Sequence, residues 1–451
     1  MWINALMKTI WQPYTKQYEQ KYAEYMQWPL ERLVEHIKQI MQSHIKSSAG
    51  SEQEIRSTTL VTCGCPHWNR ENGLCACSFC DYFSDLFPGY VMMHVLKERA
   101  PKRYAQMVRF SFDQARGVQP KALFAEHVTA FDTLNNQEIT EDTWNELFGK
   151  SLYKGNIRLY ICETRASSVS PEKIRRWKNQ VGKRFVVENG VDVSNEWLRN
   201  HWLNKQISNG QIVHAWDAIH KENCQVINDI LLGVPGLTDK QSIHIFKKSF
   251  QDLHSADFIV VSPLVRKGVE LQNTIYRFLS TDSEMLAIGA AKHSLTGSIH
   301  PLSVYKALIG LFSRRPELIH KYIHSPLHFD NYYALMRSCY QYDRDYIEVE
   351  QSLCGLMQFN ETKDLNRLTE VYERLKDSLF YENYKAQYQK EWGIEKLVET
   401  MELVSGKLEE VLPSDRIKNE NFDLELAGFD PHSLDSNELF CSAGKKEHSY
   451  E

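Results

Sequence analysis

The sequence predicts an α/β fold: an open, partial (β/α)6 barrel with a helical extension before it and a helical region after it. Through the middle of the chain, short apolar runs alternate with helical stretches, which is the pattern of parallel β/α units. Six such runs are too few for a complete eight-stranded barrel. The runs are TTLVTC (58–63), ALFAEHV (122–128), IRLYIC (157–162), RFVVEN (184–189), VINDILL (226–232) and DFIVVS (257–262).

The helical patterns predict four regions along the chain. Residues 1–55 form a helical extension, in which Leu33, Ile37 and Met41 recur at helical spacing. Residues 56–275 form the barrel, and after about residue 276 no further strand is expected. Residues 276–412 are predicted to be helical, and the polar segment 413–451 is predicted to be a tail that is disordered or loosely docked.

The composition of the chain sets limits on its class. Its 451 residues are 42% hydrophobic and carry a net charge of −5. This size can bury a large core without disulfides, and no signal peptide or membrane span is expected. We therefore expect a cytoplasmic protein without membrane partners. The charge argues against a polynucleotide partner but leaves room for a local basic patch.

Five of the ten cysteines lie within eighteen residues: Cys63, Cys65, Cys75, Cys77 and Cys80. In a reducing compartment, clustered thiols indicate a metal site or a catalytic site more than disulfides. Three cysteines on a four-iron cluster leave one iron open for a small molecule. The segment is therefore expected to determine the chemistry of the protein.

The spacing of these cysteines leaves more than one site open. Cys77 and Cys80 form a C-x2-C pair, and Cys65, followed by a proline, can approach from the other side of the loop. A structural zinc site would use four cysteines, such as Cys63, Cys65, Cys77 and Cys80, although such sites usually have two C-x2-C pairs. Redox-active thiols are a third possibility.

Motifs farther along the chain favour the cluster. The loop CPHWNRENGLCACSFC (65–80), with its long first gap, resembles the elongator-like branch of the radical S-adenosylmethionine (radical SAM) superfamily. The resemblance covers about residues 58–310 and is greatest to the radical subunit of archaeosine synthase and its bacterial relatives. Its further motifs, in order, are TAFDTLNNQEIT (129–140), CETRASSVSPEKI (162–174), VVENGVDVSNEWLRNHWLNK (186–205), NDILLGVPGLTDKQSI (228–243) and SPLVRKGVELQNTIYR (262–277).

This resemblance implies a [4Fe–4S] cluster at the mouth of the barrel, with S-adenosylmethionine (SAM) bound at its open iron. Cys65, Cys77 and Cys80 are the implied ligands, and Cys63 and Cys75 are expected to be buried or loop thiols. Reductive cleavage of SAM would give a 5′-deoxyadenosyl radical that takes hydrogen from the substrate.

The same resemblance implies a set of cofactor-binding positions at the ends of the strands. Phe131 and Asp132 would lie near the methionyl amino group, and Glu163 would accept hydrogen bonds from that ammonium or from the ribose. The remaining implied positions are Phe79 beside the last cluster cysteine, Gly190 and Asp192 near the ribose or adenine, Gly233 and Pro235 near the adenine, and Arg266 at a carboxylate.

The substrate is less well defined by the sequence. We expect a small molecule, an amino-acid derivative or a peptide, with flavodoxin or ferredoxin as electron donor. A tRNA-modifying enzyme is the alternative, since the archaeosine enzyme acts on tRNA. A non-catalytic zinc scaffold is the third hypothesis.

Overall fold

The structure of the chain is a computed structural model. It describes residues 1–47, 55–70, 73–80, 87–118, 125–148, 157–181, 184–265, 278–290, 297–412, 417–434 and 440. Arg266 lies outside these ranges. Every helix within them is too short or too polar to cross a membrane.

A seven-stranded parallel sheet forms the centre of the molecule, with its strands arranged in chain order as an open half-barrel. All six predicted strands are present, although the first spans residues 55–59 and shares only residues 58 and 59 with the predicted run. The strands of this sheet are β1 (Ile55–Thr59), β4 (Ala125–Thr129), β5 (Leu159–Thr164), β6 (Arg184–Asp192), β7 (Gln225–Leu232), β8 (Phe258–Pro263) and β9 (Tyr322–His324). A separate two-stranded hairpin is made by β2 (Asn69–Arg70) and β3 (Gly73–Leu74).

The prediction that no strand follows residue 276 is wrong. Strand β9 pairs in parallel with β8, with Ile323 opposite Val260. Its three residues are preceded by a 3-10 turn and followed by a helix. So short an apolar segment has no periodicity of its own, and it becomes a strand only because the edge of β8 is available. The predicted domain boundaries remain predictions.

The two faces of the sheet have different surroundings. In β5, Tyr160, Cys162 and Thr164 are buried, whereas Leu159, Ile161 and Glu163 are only half-buried. Because side chains alternate across a strand, the first set lies under the helices and the second faces the interior of the half-barrel. The inner face has its own small apolar cluster, centred on Val186, Ile227 and Val260.

Helices flank the sheet and connect its strands. Two of them begin with capping boxes, in which Ser208 pairs with Gln211 and Thr238 pairs with Gln241. The helices are α1 (Trp2–Met26), α2 (Leu30–Ser47), α3 (Phe87–Arg99), α4 (Pro101–Val118), α5 (Glu141–Phe148), α6 (Pro171–Val181), α7 (Asn209–Lys221), α8 (Asp239–Asp252), α9 (Ser283–Ala287), α10 (Pro301–Phe312), α11 (Pro326–Tyr340), α12 (Tyr346–Thr362), α13 (Leu365–Leu375), α14 (Leu379–Lys390), α15 (Leu397–Val411) and α16 (Asn419–Leu426).

The terminal regions pack against each other and against the barrel. Helix α1 contacts α3, β3 and α16, and α16 contacts α15. Within the predicted tail, residues 417–434 are docked, since Phe422, Phe429 and Leu434 are buried. These apolar residues are too few and too irregular to show a period in the sequence. They are buried because the surface of α1 and α15 receives them.

Candidate functional site

The cysteine segment begins directly after strand β1. Gly64 has a φ of +89°, and a side chain there would lie 3.0 Å from the Trp68 ring, so only glycine fits this turn. The Trp68 amide donates to the Cys65 carbonyl at 2.9 Å, and the Cys75 amide donates to the Trp68 carbonyl at 2.7 Å. A further turn, from the Cys80 amide to the Cys77 carbonyl at 3.0 Å, holds the C-x2-C pair.

Residues 203–205 bind both parts of this segment. His67 lies 2.7 Å from the Asn204 carbonyl through its Nε2. Asn204 also donates through Nδ2 to the Ala76 carbonyl at 2.8 Å, and the Ser78 amide donates to the Leu203 carbonyl at 2.9 Å. The part that carries Cys65 and the part that carries Cys77 are therefore fixed to one loop at the carboxyl ends of the strands.

Lys205 places a positive charge at the centre of this arrangement. Its Nζ lies 2.5 Å from Asp192 Oδ2 and 5.7 Å from the centre of the Phe79 ring. Burial would lower the pKa of Lys205, but the charges of Asp192 and Cys77 outweigh it and raise the pKa. A methyl group on Gly190 would lie 2.8 Å from Lys205 Nζ, so this glycine leaves room for the ammonium.

Arg165 adds a second cation on the side of Cys65. Its guanidinium donates to the Lys205 carbonyl. Burial raises the pKa of Cys65 well above its ordinary value, and the charge of Arg165 partly opposes this. Cys65 and Cys77, which are both buried, thus each have one cation near them, and a nearby cation favours thiolate over thiol.

Cys63 and Cys75 direct their sulfur atoms to protein groups. Cys63 Sγ accepts from Tyr104 Oη at 3.5 Å and lies 3.8 Å from Lys97 Nζ. Cys75 is fully buried. Its Sγ lies 3.2 Å from Asn4 Oδ1 and accepts from Asn204 Nδ2 at 3.3 Å. This agrees with their expected role as buried or loop thiols.

The carboxylate of Asp132, in the loop after β4, is occupied mainly by donors from the end of β5 and the loop that follows it. It accepts from Thr164 Oγ1 at 2.7 Å, Ser168 Oγ at 2.7 Å and the Arg165 amide at 3.0 Å. Its Oδ2 also accepts from Asn135. A direct bond from Asp132 to a cofactor would have to replace one of these contacts. The observed role of Asp132 is to hold the backbone of Arg165.

Phe131 and Glu138 connect the same loop to the cysteine segment. The Phe131 ring lies 4.5 Å from the Trp68 ring, centre to centre. Glu138 is buried and accepts from Thr62 Oγ1 at 2.5 Å and from the Asp132 amide at 2.8 Å. Burial raises the pKa of Glu138 to about 7. This carboxylate thus joins the end of β1 to the end of β4.

The inner face carries a layer of polar side chains above its apolar cluster. In β5, β6, β7 and β8 a polar residue comes two positions beyond an inward apolar one, and in β4 Thr129 follows His127 in the same way. We call this set the lumen ring. Its members are Thr129, Glu163, Glu188, Asp229 and Ser262.

Hydrogen bonds and charge repulsion both act within the lumen ring. Thr129 Oγ1 donates to Glu163 Oε2 at 2.6 Å, and Ser262 Oγ donates to Asp229 Oδ1 at 2.8 Å. Burial, with repulsion from Glu163 second, raises the pKa of Glu188 to about 8. Burial and then the charge of Glu188 raise the pKa of Asp229 well above its ordinary value. The ring is therefore suited to a cationic ligand.

The loop after β7 carries the remaining predicted positions. Gly233 has a φ of +110°, a conformation that favours glycine. Pro235 accepts a hydrogen bond from Trp202 Nε1 at 2.8 Å through its carbonyl. Both positions have structural explanations, and their predicted contacts with adenine remain predictions.

Several residues of this site were missed by sequence reasoning. Lys205, Arg165 and Glu138 lie in loops, and no periodicity marks them. Glu188 and Asp229 carry a usable signal, since each follows an inward apolar residue of its strand by two positions. In the described residues, no three His, Cys, Asp or Glu side chains are gathered closely enough for a single metal ion.

Comparisons with known proteins add the following similarities. No family model matches the sequence. An uncharacterized protein of Methanocaldococcus jannaschii is 21% identical over 194 residues, which are 42% of this chain and 50% of that protein. The chain thus spans about half the length of this curated relative.

Solved structures with a similar fold include two proteins. The archaeal Elp3 of Methanocaldococcus infernus is 13% identical, with a TM-score of 0.35, over 61% of this chain and 57% of that one. TsrM of Kitasatospora setae is a radical S-adenosylmethionine methyltransferase whose structure contains cobalamin and a [4Fe–4S] cluster. It is 13% identical, with a TM-score of 0.36, over 67% of this chain and 61% of that one. At these scores, the fold assignment rests on the strand order and register described above.

Proposed function

We propose that this chain is a radical SAM enzyme in which Cys65, Cys77 and Cys80 hold a [4Fe–4S] cluster and SAM lies between the cluster and the lumen ring. The observation that carries this proposal is the fixing of both cysteine segments to residues 203–205, at the carboxyl ends of parallel strands. Ligands of β/α barrels bind at that end. When bound, the cluster supplies the electron that cleaves SAM to methionine and a 5′-deoxyadenosyl radical.

The available thiols fit three-cysteine ligation. Cys63 and Cys75 have protein partners at their sulfur atoms, and we assign Cys65, Cys77 and Cys80 as the ligands. Each of the three thiolates would bind a different iron of the cube, so the ligands of a cluster stand farther apart than those of a single ion. The cations Lys205 and Arg165 would balance the negative charge of the thiolates.

The lumen ring fits the charges of SAM, whose ammonium and sulfonium groups are cationic. Glu163, Glu188 and Asp229 lie close enough to repel one another, and repulsion from Glu163 adds to the effect of burial in raising the pKa of Glu188. A cation placed among them relieves this repulsion. Asp192 already pairs with Lys205, so we assign it to holding Lys205, and we assign Glu163 to binding the ammonium.

The proposed substrate is a small molecule, an amino-acid derivative or a peptide, from which the radical takes a hydrogen atom. The proposed electron donor is flavodoxin or ferredoxin. A tRNA substrate remains the alternative proposal, and it predicts RNA binding that weakens steeply with salt.

The test is anaerobic reconstitution of the full chain with iron and sulfide, followed by dithionite and SAM. We expect brown protein that forms 5′-deoxyadenosine, detected by mass spectrometry, even without substrate. The matched control is Cys75→Ala, which should still form it, whereas Cys77→Ala should not. Colourless protein with stoichiometric zinc, or a four-iron protein that forms no 5′-deoxyadenosine, would overturn the proposal.

A further inference from the structure

A group of basic side chains lies on the outside of the half-barrel, where helices α8 and α10 pack together and the end of α14 lies against both. Lys240 and Lys247 belong to α8, whereas Lys306 belongs to α10 and Arg314 follows it. We call these four residues the basic stripe. The stripe concentrates positive charge on a chain whose net charge is −5.

Gly310 makes room for one of these lysines. A methyl group on Gly310 would lie 2.5 Å from Lys247 Nζ, so this ammonium rests on the backbone of α10. Lys306 and Gly310 are four residues apart and share one face of the helix. Lys247 therefore places its charge about one helical turn, roughly 6 Å, beyond the position of Lys306.

Tyrosine rings of α14 hold two further ammonium groups. Lys306 Nζ lies 3.6 Å from the centre of the Tyr388 ring and 5.1 Å from that of Tyr384. Lys240 Nζ lies 5.2 Å from the centre of the Tyr388 ring and donates to the Glu391 carbonyl at 3.0 Å. The contacts with Tyr388 thus bring two like charges to a single ring.

Two lysines of the stripe carry charges that the described part of the chain does not pair. Among the described residues, Lys247 and Lys306 have neither a hydrogen-bond acceptor nor an ion-pair partner at Nζ. Both side chains are half-buried rather than enclosed, so a ligand can reach their ammonium groups from solvent. Burial is the main cause that lowers the pKa of Lys306 to about 8. The charge of Glu391 opposes this shift, and the charges of Lys240 and Lys247 add to it.

Acidic side chains near the stripe bind other donors. Glu391 accepts through Oε2 from the Lys240 amide at 2.9 Å. Glu373 pairs with Lys376 at 2.6 Å. An anion that enters the stripe therefore meets lysines that repel one another, and its negative charge relieves that repulsion.

We propose that the basic stripe binds a phosphate group, with Lys247 and Lys306 as its direct partners and Lys240 and Arg314 beside them. A phosphate has up to two negative charges and several acceptor oxygens. Two ammonium groups about one helical turn apart can therefore each donate to a different oxygen. The site lies outside the lumen and does not rest on the proposed function.

The test is isothermal titration of the full chain, without iron and at pH 7, with inorganic tripolyphosphate. We expect binding that weakens about tenfold in Lys306→Gln and in Lys247→Gln, because each variant loses one hydrogen bond between charged groups. Lys21→Gln is the matched control, since it removes the same charge from an exposed pair with Glu24 on α1. It should bind within about twofold of wild type, because the distant charge is screened.

A second variant tests the geometry without changing the charge. The methyl group of Gly310→Ala displaces Lys247 Nζ from the surface of α10, so the affinity should fall about two- to fivefold. Circular dichroism checks that each variant is folded. If wild type binds no tripolyphosphate, or if both lysine variants bind it as tightly as wild type, the proposal is wrong. An unchanged affinity in Gly310→Ala would contradict the assigned position of Lys247.

A fluorescently labelled oligouridylate separates the two sources of such a phosphate. Anisotropy that shows tighter binding than tripolyphosphate, lost in the same lysine variants, assigns the phosphate to a nucleic-acid strand, and this binding should weaken steeply with salt. Weaker binding assigns it to a small phosphorylated ligand. Because neither probe needs iron or SAM, their failure leaves the proposed function untouched. Equally, a protein that forms no 5′-deoxyadenosine but binds tripolyphosphate would sink the proposed function and keep this site.

Discussion

Lys205 Nζ and Asp192 Oδ2 lie 2.5 Å apart in the interior of the site, with the two residues only 9% and 5% exposed. Asp192 ends strand β6 at a bulge and has a φ of +69°. Lys205 follows Asn204, which binds the cysteine segment. The ion pair therefore connects the sheet to the loop that holds the candidate ligands.

Removing the cation should destabilise the protein strongly. Lys205→Met leaves Asp192 buried without its partner, and breaking one side of such a pair costs about 3–5 kcal/mol. The free energy of unfolding, from urea titration, measures this loss. The double variant Lys205→Met/Asp192→Asn should recover a large part of it. If the double variant is as unstable as the single one, charge burial is not the cause.

Gly190 should be intolerant of a methyl group because of Lys205. The Cβ of Gly190→Ala would lie 2.8 Å from Lys205 Nζ, and crowding of this kind costs about 1–3 kcal/mol. The cost should largely vanish in the Lys205→Met background, which a double-mutant cycle in urea measures. Gly210→Ala is the control, since its nearest neighbour would be 3.8 Å away. Equal losses in both backgrounds would refute this explanation.

Arg199 should not be replaceable by lysine. It is fully buried and donates to the carbonyls of Val193 at 2.9 Å and Ile207 at 2.8 Å, which fixes the loop that carries Lys205. Lysine has no fork of donors, so Arg199→Lys leaves a buried carbonyl unpaired and should cost about 2–4 kcal/mol in urea unfolding. Arg175→Lys, at an exposed pair with Glu222, should change stability by less than about 1 kcal/mol. Comparable losses would contradict the role of the guanidinium.

The lumen ring should make stability depend on pH. The pKa of Glu188 is raised from 4.5 to about 8, so between these values the folded protein keeps a proton that the unfolded chain has lost. This contribution to stability therefore falls as the pH rises through that window. Glu188→Gln should gain stability relative to wild type from pH 5 to pH 8, measured by urea unfolding. A difference that does not vary with pH would contradict the raised pKa.

The binding of SAM should show the opposite trend. A cationic ligand prefers ionised carboxylates, so its affinity for reconstituted wild-type protein should rise as the pH increases from about 6 to about 8. Isothermal titration measures this, and the slope should flatten in Glu188→Gln. An affinity that falls over this range would exclude the lumen ring as the binding site for the cation.

The sheet was predictable because most of its strands are short apolar runs between helices. Strand β1, IRSTT, is an exception, since it has one apolar residue and lies mostly before the predicted run. Strand β9 could not be predicted, because three residues show no periodicity and their pairing with β8 is set by tertiary structure. The helix over Asn419–Leu426 was also missed, because its apolar residues show no period in the sequence and are buried only by tertiary contacts.

The site was predictable only in part. Residues that end strands, such as Glu163, can be found from the strands themselves. The direction in which such a carboxylate points cannot be found this way, since Asp132 accepts hydrogen bonds from residues at the end of the neighbouring strand β5. Lys205 lies thirteen residues beyond the end of β6, and only the folded loop brings it to Asp192. Arg266 lies outside the described residues, and its role remains a prediction.

The most direct test of the central claim is the iron content of five single variants after anaerobic reconstitution, with the reduced cluster observed by electron paramagnetic resonance. Alanine in place of Cys65, Cys77 or Cys80 should abolish the cluster signal, whereas alanine in place of Cys63 or Cys75 should retain four irons per chain. Loss of the cluster in Cys63→Ala or Cys75→Ala while one of the other three variants keeps it would contradict the assignment of ligands.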